Sequence, residues 1–150
     1  MKKITKVIII LGFIVGVPIV YYQQSRSVYC LPDGKCITVW KRIGGTCYII
    51  PRKYYGITEP SDNFIRTTNV SDLDLIWKKP EQMLVVGKEV KIFNRDKDAI
   101  IMVNYNEMRQ HNDSLYLSFD GSYHRYKKEV DYIYINIKEG YAKDKTGKKL

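Results

Sequence analysis

Alanine, histidine and cysteine are all scarce in this chain, and each scarcity narrows the possible structures. Alanine, the best helix former, occurs only at Ala99 and Ala142, whereas tyrosine occurs 13 times, which favours strands over long helices. The two histidines, His111 and His124, lie far in sequence from the three cysteines, so a zinc site lacks ligands at suitable spacing. Nucleophile-elbow and phosphate-binding glycine motifs are also missing. The sequence therefore predicts no catalytic, cofactor-binding or metal-binding residue, and no enzymatic activity.

Acidic residues are fewer than basic ones, 16 against 25, and much of the surplus lies in residues 1–6 and 143–149. Three of the lysines lie in the first six residues, and most of the others are scattered among acids. Nucleic-acid binding requires a basic stripe with accessible stacking aromatics. We therefore expect no nucleic-acid partner.

Residues 7–22 contain no charge and follow a short basic leader. As a helix they extend about 24 Å, or about 28 Å from residue 4, close to the roughly 30 Å of a bilayer core. The lysines before this run, with none just after it, orient the amino end toward the cytoplasm. We expect residues 1–24 to be a single-pass anchor of the cell membrane, with residues 4–22 in lipid and the remainder outside the cytoplasm. The alternative is a signal peptide cleaved near Ser25-Arg26-Ser27, which would leave a secreted or periplasmic protein.

Pro32-Asp33-Gly34 has the residues of a three-residue hairpin loop, with glycine in the left-handed position. In that register Leu31 pairs with Lys35, and Cys30 lies opposite Cys36. Cysteines paired in this way are within disulfide reach, near its short end. The sequence predicts a Cys30–Cys36 bridge.

Gly44-Gly45 suits a two-residue turn, which would place Arg42 opposite Cys47 and Trp40 opposite Ile49. That register puts Cys47 too far from Cys36 to bond, at about 18 Å along the sheet. We expect Cys47 to be an unpaired, buried side chain.

The rest of the chain carries further strand signals. Residues 71–79 fit either a capped helix or a strand, since both periodicities are present. Gly87-Lys88 predicts a hairpin joining residues 83–86 to 89–93, and Asp120-Gly121 predicts another joining 115–119 to 122–126. Residues 130–137 alternate between isoleucine and polar or tyrosine positions, as half-buried strands do.

These patterns predict a mainly β protein: one N-terminal membrane helix, then a small antiparallel β sandwich or barrel with at most one or two short helices. The extracytoplasmic β domain is expected to cover residues 25–140. Residues 141–150 are lysine-rich and are predicted to form a flexible basic tail.

Tyrosines exceed what so small a core would bury, and sheet tyrosines often form binding surfaces. We take Tyr54, Tyr55, Tyr132 and Tyr134 as a possible binding face. The leading hypothesis is a binding module of the bacterial cell envelope whose partner is another envelope protein. The alternative is a small envelope hydrolase acting on glycan or peptide, which would need two facing carboxylates, or Cys47 with a histidine.

Overall fold

In its described residues, the computed structural model has one helix, two facing β sheets and a separate β hairpin. It describes residues 2–79, 82–87, 89–96, 99–102, 116–120, 123–126 and 131–150. The helix and the strands that begin the chain are α1 (Lys2–Gln24), β1 (Arg26–Cys30), β2 (Cys36–Lys41), β3 (Thr46–Ile50), β4 (Phe64–Thr68), β5 (Asp72–Lys79) and β6 (Gln82–Gly87). The remaining strands are β7 (Lys91–Phe93), β8 (Ile100–Met102), β9 (Tyr116–Asp120), β10 (Tyr123–Tyr126), β11 (Asp131–Asn136) and β12 (Tyr141–Asp144).

The first sheet has the strand order β1-β2-β3-β4-β7 and is antiparallel throughout. The second sheet has the order β12-β11-β5-β6-β8 and is antiparallel except for the parallel pair β6 and β8. Strands β9 and β10 form a separate antiparallel hairpin. The prediction of a mainly β protein is confirmed, and the two five-stranded sheets of the described residues are open and form no closed barrel.

The core lies between the two sheets and contains side chains from both. Its buried members include Ile37, Val39, Cys47, Ile49 and Ile65 from the first sheet, and Leu73, Leu75, Val85, Ile133 and Ile135 from the second. Within each strand these residues occupy alternate positions, because successive side chains of a strand point to opposite faces. The remaining positions of both sheets therefore form the outer faces of a sandwich.

The hairpin of β1 and β2 has the predicted register and bridge. Leu31 donates its N–H to the Lys35 carbonyl at 2.8 Å, and Gly34 has a φ of 90°. Cys30 pairs with Cys36 across the strands, their α-carbons are 4.1 Å apart, and the two form a disulfide. Because turn chemistry and strand alternation are both local, the sequence determined this element.

The loop between β2 and β3 is one residue longer than predicted. Arg42 donates its N–H to the Thr46 carbonyl, so residues 43–45 form the loop, and both of its glycines have positive φ. Lys41 therefore pairs with Cys47, and Trp40 pairs with Tyr48 rather than Ile49. The predicted two-residue turn was wrong because a Gly-Gly pair suits either loop length. This shift places Cys47 on the inner face and Trp40 on the outer one.

The hairpin predicted around Gly87-Lys88 does not form, since β6 lies in the second sheet and β7 in the first. A Cβ at Gly87 would come within 2.1 Å of Leu73 Cδ2. The glycine therefore permits close packing against β5 instead of making a tight turn. Lys88 lies outside the described residues.

Other predicted elements have definite outcomes. The strand alternative for residues 71–79 is confirmed by β5. The predicted hairpin near Asp120 is confirmed by the pairing of β9 with β10, but Asp120 belongs to β9 and pairs with Tyr123 instead of lying in the turn; Gly121 is outside the described residues. In β11 the isoleucines at 133 and 135 are buried and the tyrosines at 132 and 134 are half-buried, as the alternation predicted.

The predicted flexible tail over residues 141–150 is instead part of the sandwich. Strand β12 pairs with β11, and Leu150 packs on the core while donating its N–H to the Ala142 carbonyl. Asp144 stabilises the turn between β12 and Leu150, because Oδ1 of its carboxylate accepts hydrogen bonds from Thr146 and Lys148. The lysine content suggested a tail, but Asp144 and Gly147 supply the turn that returns the chain to the sheet.

Candidate functional site

The four tyrosines proposed as one binding face lie on opposite sides of the sandwich. Tyr132 and Tyr134 project from the outer face of β11 in the second sheet, since Ile133 and Ile135 face the core. Tyr54 follows β3 in the chain and packs on Trp40, on the outer face of the first sheet. The structure therefore does not bring the two pairs together.

The tyrosines of the second sheet lie among carboxylates. Burial, with the charges of Asp74 and Asp144, raises the pKa of Tyr132. Burial raises the pKa of Tyr134 to about 12, and Asp72 is also close to its hydroxyl. Both side chains are half-buried, so only part of each ring is available to a partner.

The outer face of the first sheet carries a second, smaller aromatic cluster. Its buried members are Trp40, Tyr48, Ile50 and Phe64, with Tyr54 and Phe93 packed against them. The rings of Phe64 and Phe93 stack with centroids 4.7 Å apart, and Tyr48 meets Phe64 edge-on at 5.6 Å. Such pairs stabilise by about 1 kcal/mol beyond the area that they bury.

Arginines cover this cluster at both of its ends. The guanidinium carbons of Arg26 and Arg42 lie 4.0 and 4.8 Å from the ring centroid of Trp40, and Arg66 lies 4.9 Å from that of Phe93. Burial is the largest influence on Arg26 and lowers its pKa. The three arginines cover the edges of the aromatic cluster and remain partly exposed to water.

Residues 51–63 cross this outer face as a long loop held at its start. Thr38 Oγ1 donates to the Arg52 carbonyl at 2.8 Å and accepts the N–H of Tyr54 at 2.9 Å. Arg26 donates to the carbonyl of Gly56. A single buried threonine hydroxyl therefore replaces the strand partner that this stretch of backbone lacks.

Side chains hold the second half of the loop. Tyr48 donates to Glu59 Oε2 at 3.0 Å, and Arg52 pairs with Asp62 at 3.4 Å. Tyr54 donates to the Thr58 carbonyl at 2.6 Å. Loops of this length without secondary structure are uncommon and are usually functional, which is the sequence signal that could have indicated this region.

The loop ends at an open cleft of about 560 Å³. Its lining is Glu59, Pro60, Ser61, Asp62, Phe64, Phe93, Asn94 and Arg95. The stacked rings of Phe64 and Phe93 supply apolar surface, and Glu59, Asp62 and Arg95 supply charges of both signs. Asn63 Oδ1 accepts the N–H of Arg95 at 3.2 Å and joins the two walls. Sequence reasoning did not select Phe93 or Arg95, because β7 was assigned to another hairpin.

Cys47 does not offer a nucleophile. Its side chain is fully buried in the core between the sheets, and burial raises the pKa of its thiol to about 12. The predicted unpaired, buried cysteine is confirmed. His111 lies outside the described residues, and nothing is described of the His124 side chain. Within the ranges given above, no group of three or more histidines, cysteines or carboxylates could hold a metal ion.

The chain matches no protein-family model, and no curated protein or solved structure is significantly similar to it.

Helix α1 is the other unusual feature of the molecule. Its described apolar side chains are 54–68% exposed: Ile8, Ile9, Ile10, Leu11, Phe13, Ile14, Val15 and Val17. Ser25 follows the helix directly; its N–H bonds to the Tyr21 carbonyl, and its own carbonyl accepts the N–H of Lys41 in β2. Among the described residues, no helix combines the length and the hydropathy needed to cross a membrane.

Proposed function

We propose that this chain is a membrane-anchored domain of the bacterial cell envelope, and that its β sandwich acts outside the cytoplasm by binding another protein. The observation that carries the proposal is the exposure of apolar side chains all around α1. Residues 8–11 are consecutive, so they point in four directions about 100° apart. A helix that is apolar on every side is stable where apolar material surrounds it, as in a bilayer.

The length of the anchor rests on the sequence as well as on the exposed side chains. The side chains of residues 8–18 are described without a break and correspond to about 16 Å of helix. The uncharged run of residues 7–22 extends this to about 24 Å. In the proposed orientation Lys2, Lys3 and Lys6 remain on the cytoplasmic side, and β1 begins on the outer side.

The cleft beside Phe93 is the proposed site for the partner protein. It lies at the end of the sandwich away from α1, because β4 begins there at Phe64 while β1 begins at the helix end. Contacts within the chain already hold its walls, through Asn63 with Arg95 and Arg52 with Asp62, which reduces the entropy lost when a partner is engaged. An apolar floor with charged edges is the arrangement that protein contacts use.

Two variants of the cleft test this site. Phe93→Ala removes the stacked ring, and Arg95→Glu reverses a charge at the edge of the cleft. The control, Lys148→Glu, makes the same charge reversal on an exposed turn of the second sheet. Each full-length chain is used to recover partners from detergent-solubilised membranes of the source organism. We expect one protein to bind the unaltered chain and Lys148→Glu, and to lose at least about tenfold in recovery with Phe93→Ala. Equal recovery by all four chains, or none by any, would refute binding at the cleft.

A further inference from the structure

Three loops of the sandwich meet at the end where α1 joins β1. Gly45 accepts the N–H of Asn69 at 2.8 Å, and Ser71 accepts the N–H of Ile137 at 3.3 Å. A Cβ at Gly140 would lie 3.7 Å from Nζ of Lys41, the residue whose N–H bonds to Ser25. These contacts bring residues 43–45, 69–71 and 137–140 together around the end of the helix.

This end carries apolar side chains exposed to solvent. Ile43 is 82% exposed at the tip of the first loop, and Val70 is 63% exposed at the tip of the second. Tyr55 and Ile57 are 73% and 74% exposed on either side of Gly56, whose carbonyl is held by Arg26. We call Ile43, Tyr55, Ile57 and Val70 the proximal rim.

Contacts of Arg26 connect Gly56 to the loop that carries Ile43. Arg26 is the second residue after α1, and its guanidinium stacks on Trp40 together with that of Arg42. Arg42 immediately precedes Ile43. Gly56 is therefore connected to the loop of residues 43–45 through Arg26, the Trp40 ring and Arg42. These contacts hold the residues of the proximal rim on one side of the domain.

Cations outnumber acids beside the rim. Lys41, Arg42 and Lys138 lie in or next to the three loops, against the two acids Asp72 and Glu139. Exposed apolar side chains next to cations match a bilayer surface, in which apolar groups enter the headgroup layer and cations meet lipid phosphates. A protein partner would leave unexplained why these side chains gather at the helix end.

We propose that the proximal rim docks on the surface of the membrane that holds α1, and that anionic phospholipid is its ligand. This inference rests on the proposed membrane anchorage. No linker separates α1 from β1, because the helical hydrogen bond of Ser25 is followed at once by its strand bond to Lys41. The rim is therefore held at the level of the headgroups, and docking fixes the height and orientation of the distal cleft.

Depth-dependent quenching tests the proposal with the full chain reconstituted in vesicles. Single cysteines placed by Ile43→Cys, Asp33→Cys and Val17→Cys carry an environment-sensitive fluorophore. They report the rim, the opposite hairpin tip and the helix. Cys47 does not interfere, since it is buried and burial raises the pKa of its thiol to about 12. Lipids spin-labelled in the headgroup or deep in the acyl chain act as quenchers, in phosphatidylcholine with and without phosphatidylglycerol.

We expect headgroup quenching at Ile43, none at Asp33, and deep quenching at Val17. Phosphatidylglycerol should increase quenching at Ile43, and Lys138→Gln should lower the docked-to-undocked ratio about fivefold, whereas Lys148→Gln should not. Deep quenching at Val17 without quenching at Ile43 would overturn the docking and leave the anchor intact. Quenching at Ile43 that ignores phosphatidylglycerol would exclude anionic lipid as the ligand. Absence of quenching at Val17 would refute the anchorage itself.

Discussion

Lys35 and Asp131 form an ion pair, with 2.7 Å between Nζ and Oδ2, that joins the hairpin tip of one sheet to the first residue of β11 in the other. Asp131 also accepts a bond from Lys145 at 3.0 Å, and Lys35 pairs with Asp33 at 2.6 Å. The network lies at the end of the sandwich away from α1. It links the disulfide hairpin to the last turn of the chain.

Because of this network, the free energy of unfolding should depend on pH. The hydrogen bonds from Lys35 and then from Lys145 lower the pKa of Asp131 in the folded chain. A lowered carboxyl pKa stabilises the fold above the unfolded pKa of about 3.9, and that contribution is lost as pH falls through the folded value. We expect Asp131→Asn to reduce the free energy of unfolding by about 1 kcal/mol at neutral pH. Urea unfolding in mild detergent should show the difference shrinking below about pH 4 and vanishing once wild-type Asp131 is protonated. A constant difference at all pH values would contradict the ion pair.

The Cys30–Cys36 bridge closes a short loop, so its removal should have a moderate effect. The chain-entropy relation for a loop of this size gives about 2 kcal/mol. We expect the double variant Cys30→Ser, Cys36→Ser to lose about that much in free energy of unfolding, measured with denaturant. Reduction of the unaltered protein should give a similar loss and serves as the control. No change on reduction would show that the hairpin loop alone fixes the register.

Cys47 should resist thiol reagents in the folded protein. Because burial raises the pKa of its thiol to about 12, both thiolate and access are lacking at pH 8. Mass spectrometry should find no alkylation of the native chain and one added group per chain in denaturant without reductant. Rapid labelling under native conditions would contradict the corrected register, which places Cys47 opposite Lys41 on the inner face.

Position 56 should tolerate only glycine, because the Tyr54 side chain occupies the space that a Cβ would need. A Cβ on Gly56 would lie 2.4 Å from the Tyr54 hydroxyl oxygen and 2.6 Å from the ring carbon that bears it. We expect Gly56→Ala to cost about 1–3 kcal/mol through forced repacking. In a Tyr54→Ala background the same substitution should cost almost nothing, which a double-mutant cycle measures. Equal costs in both backgrounds would show that the loop does not pack as described.

The parts of the fold that could be predicted were those determined by neighbouring residues. The Cys30–Cys36 hairpin and the alternation in β11 follow from turn chemistry and strand period, and both are confirmed. Gly44-Gly45 misled because glycine permits more than one loop length. A shift of one residue then exchanged the faces of β3.

The candidate site could not be assembled from sequence, because it depends on which sheet each strand joins. The cleft requires β7 beside β4, a pairing of segments separated by β5 and β6. Likewise, Tyr54 and Tyr134 resemble one another as sequence features but lie on opposite outer faces of the sandwich. The hydrophobic pattern of a strand shows which of its faces is buried, but it does not show which strand lies beside it.

Anchorage and outward orientation are the central claim, and impermeant thiol labelling of whole cells tests both most directly. The full chain with Asp33→Cys is expressed in a bacterial host, and a membrane-impermeant maleimide is added before or after lysis. We expect the chain to stay with the membranes after an alkaline carbonate wash, and we expect position 33 to be fully labelled in intact cells. A chain released by the wash, or labelled only after lysis, would contradict this claim.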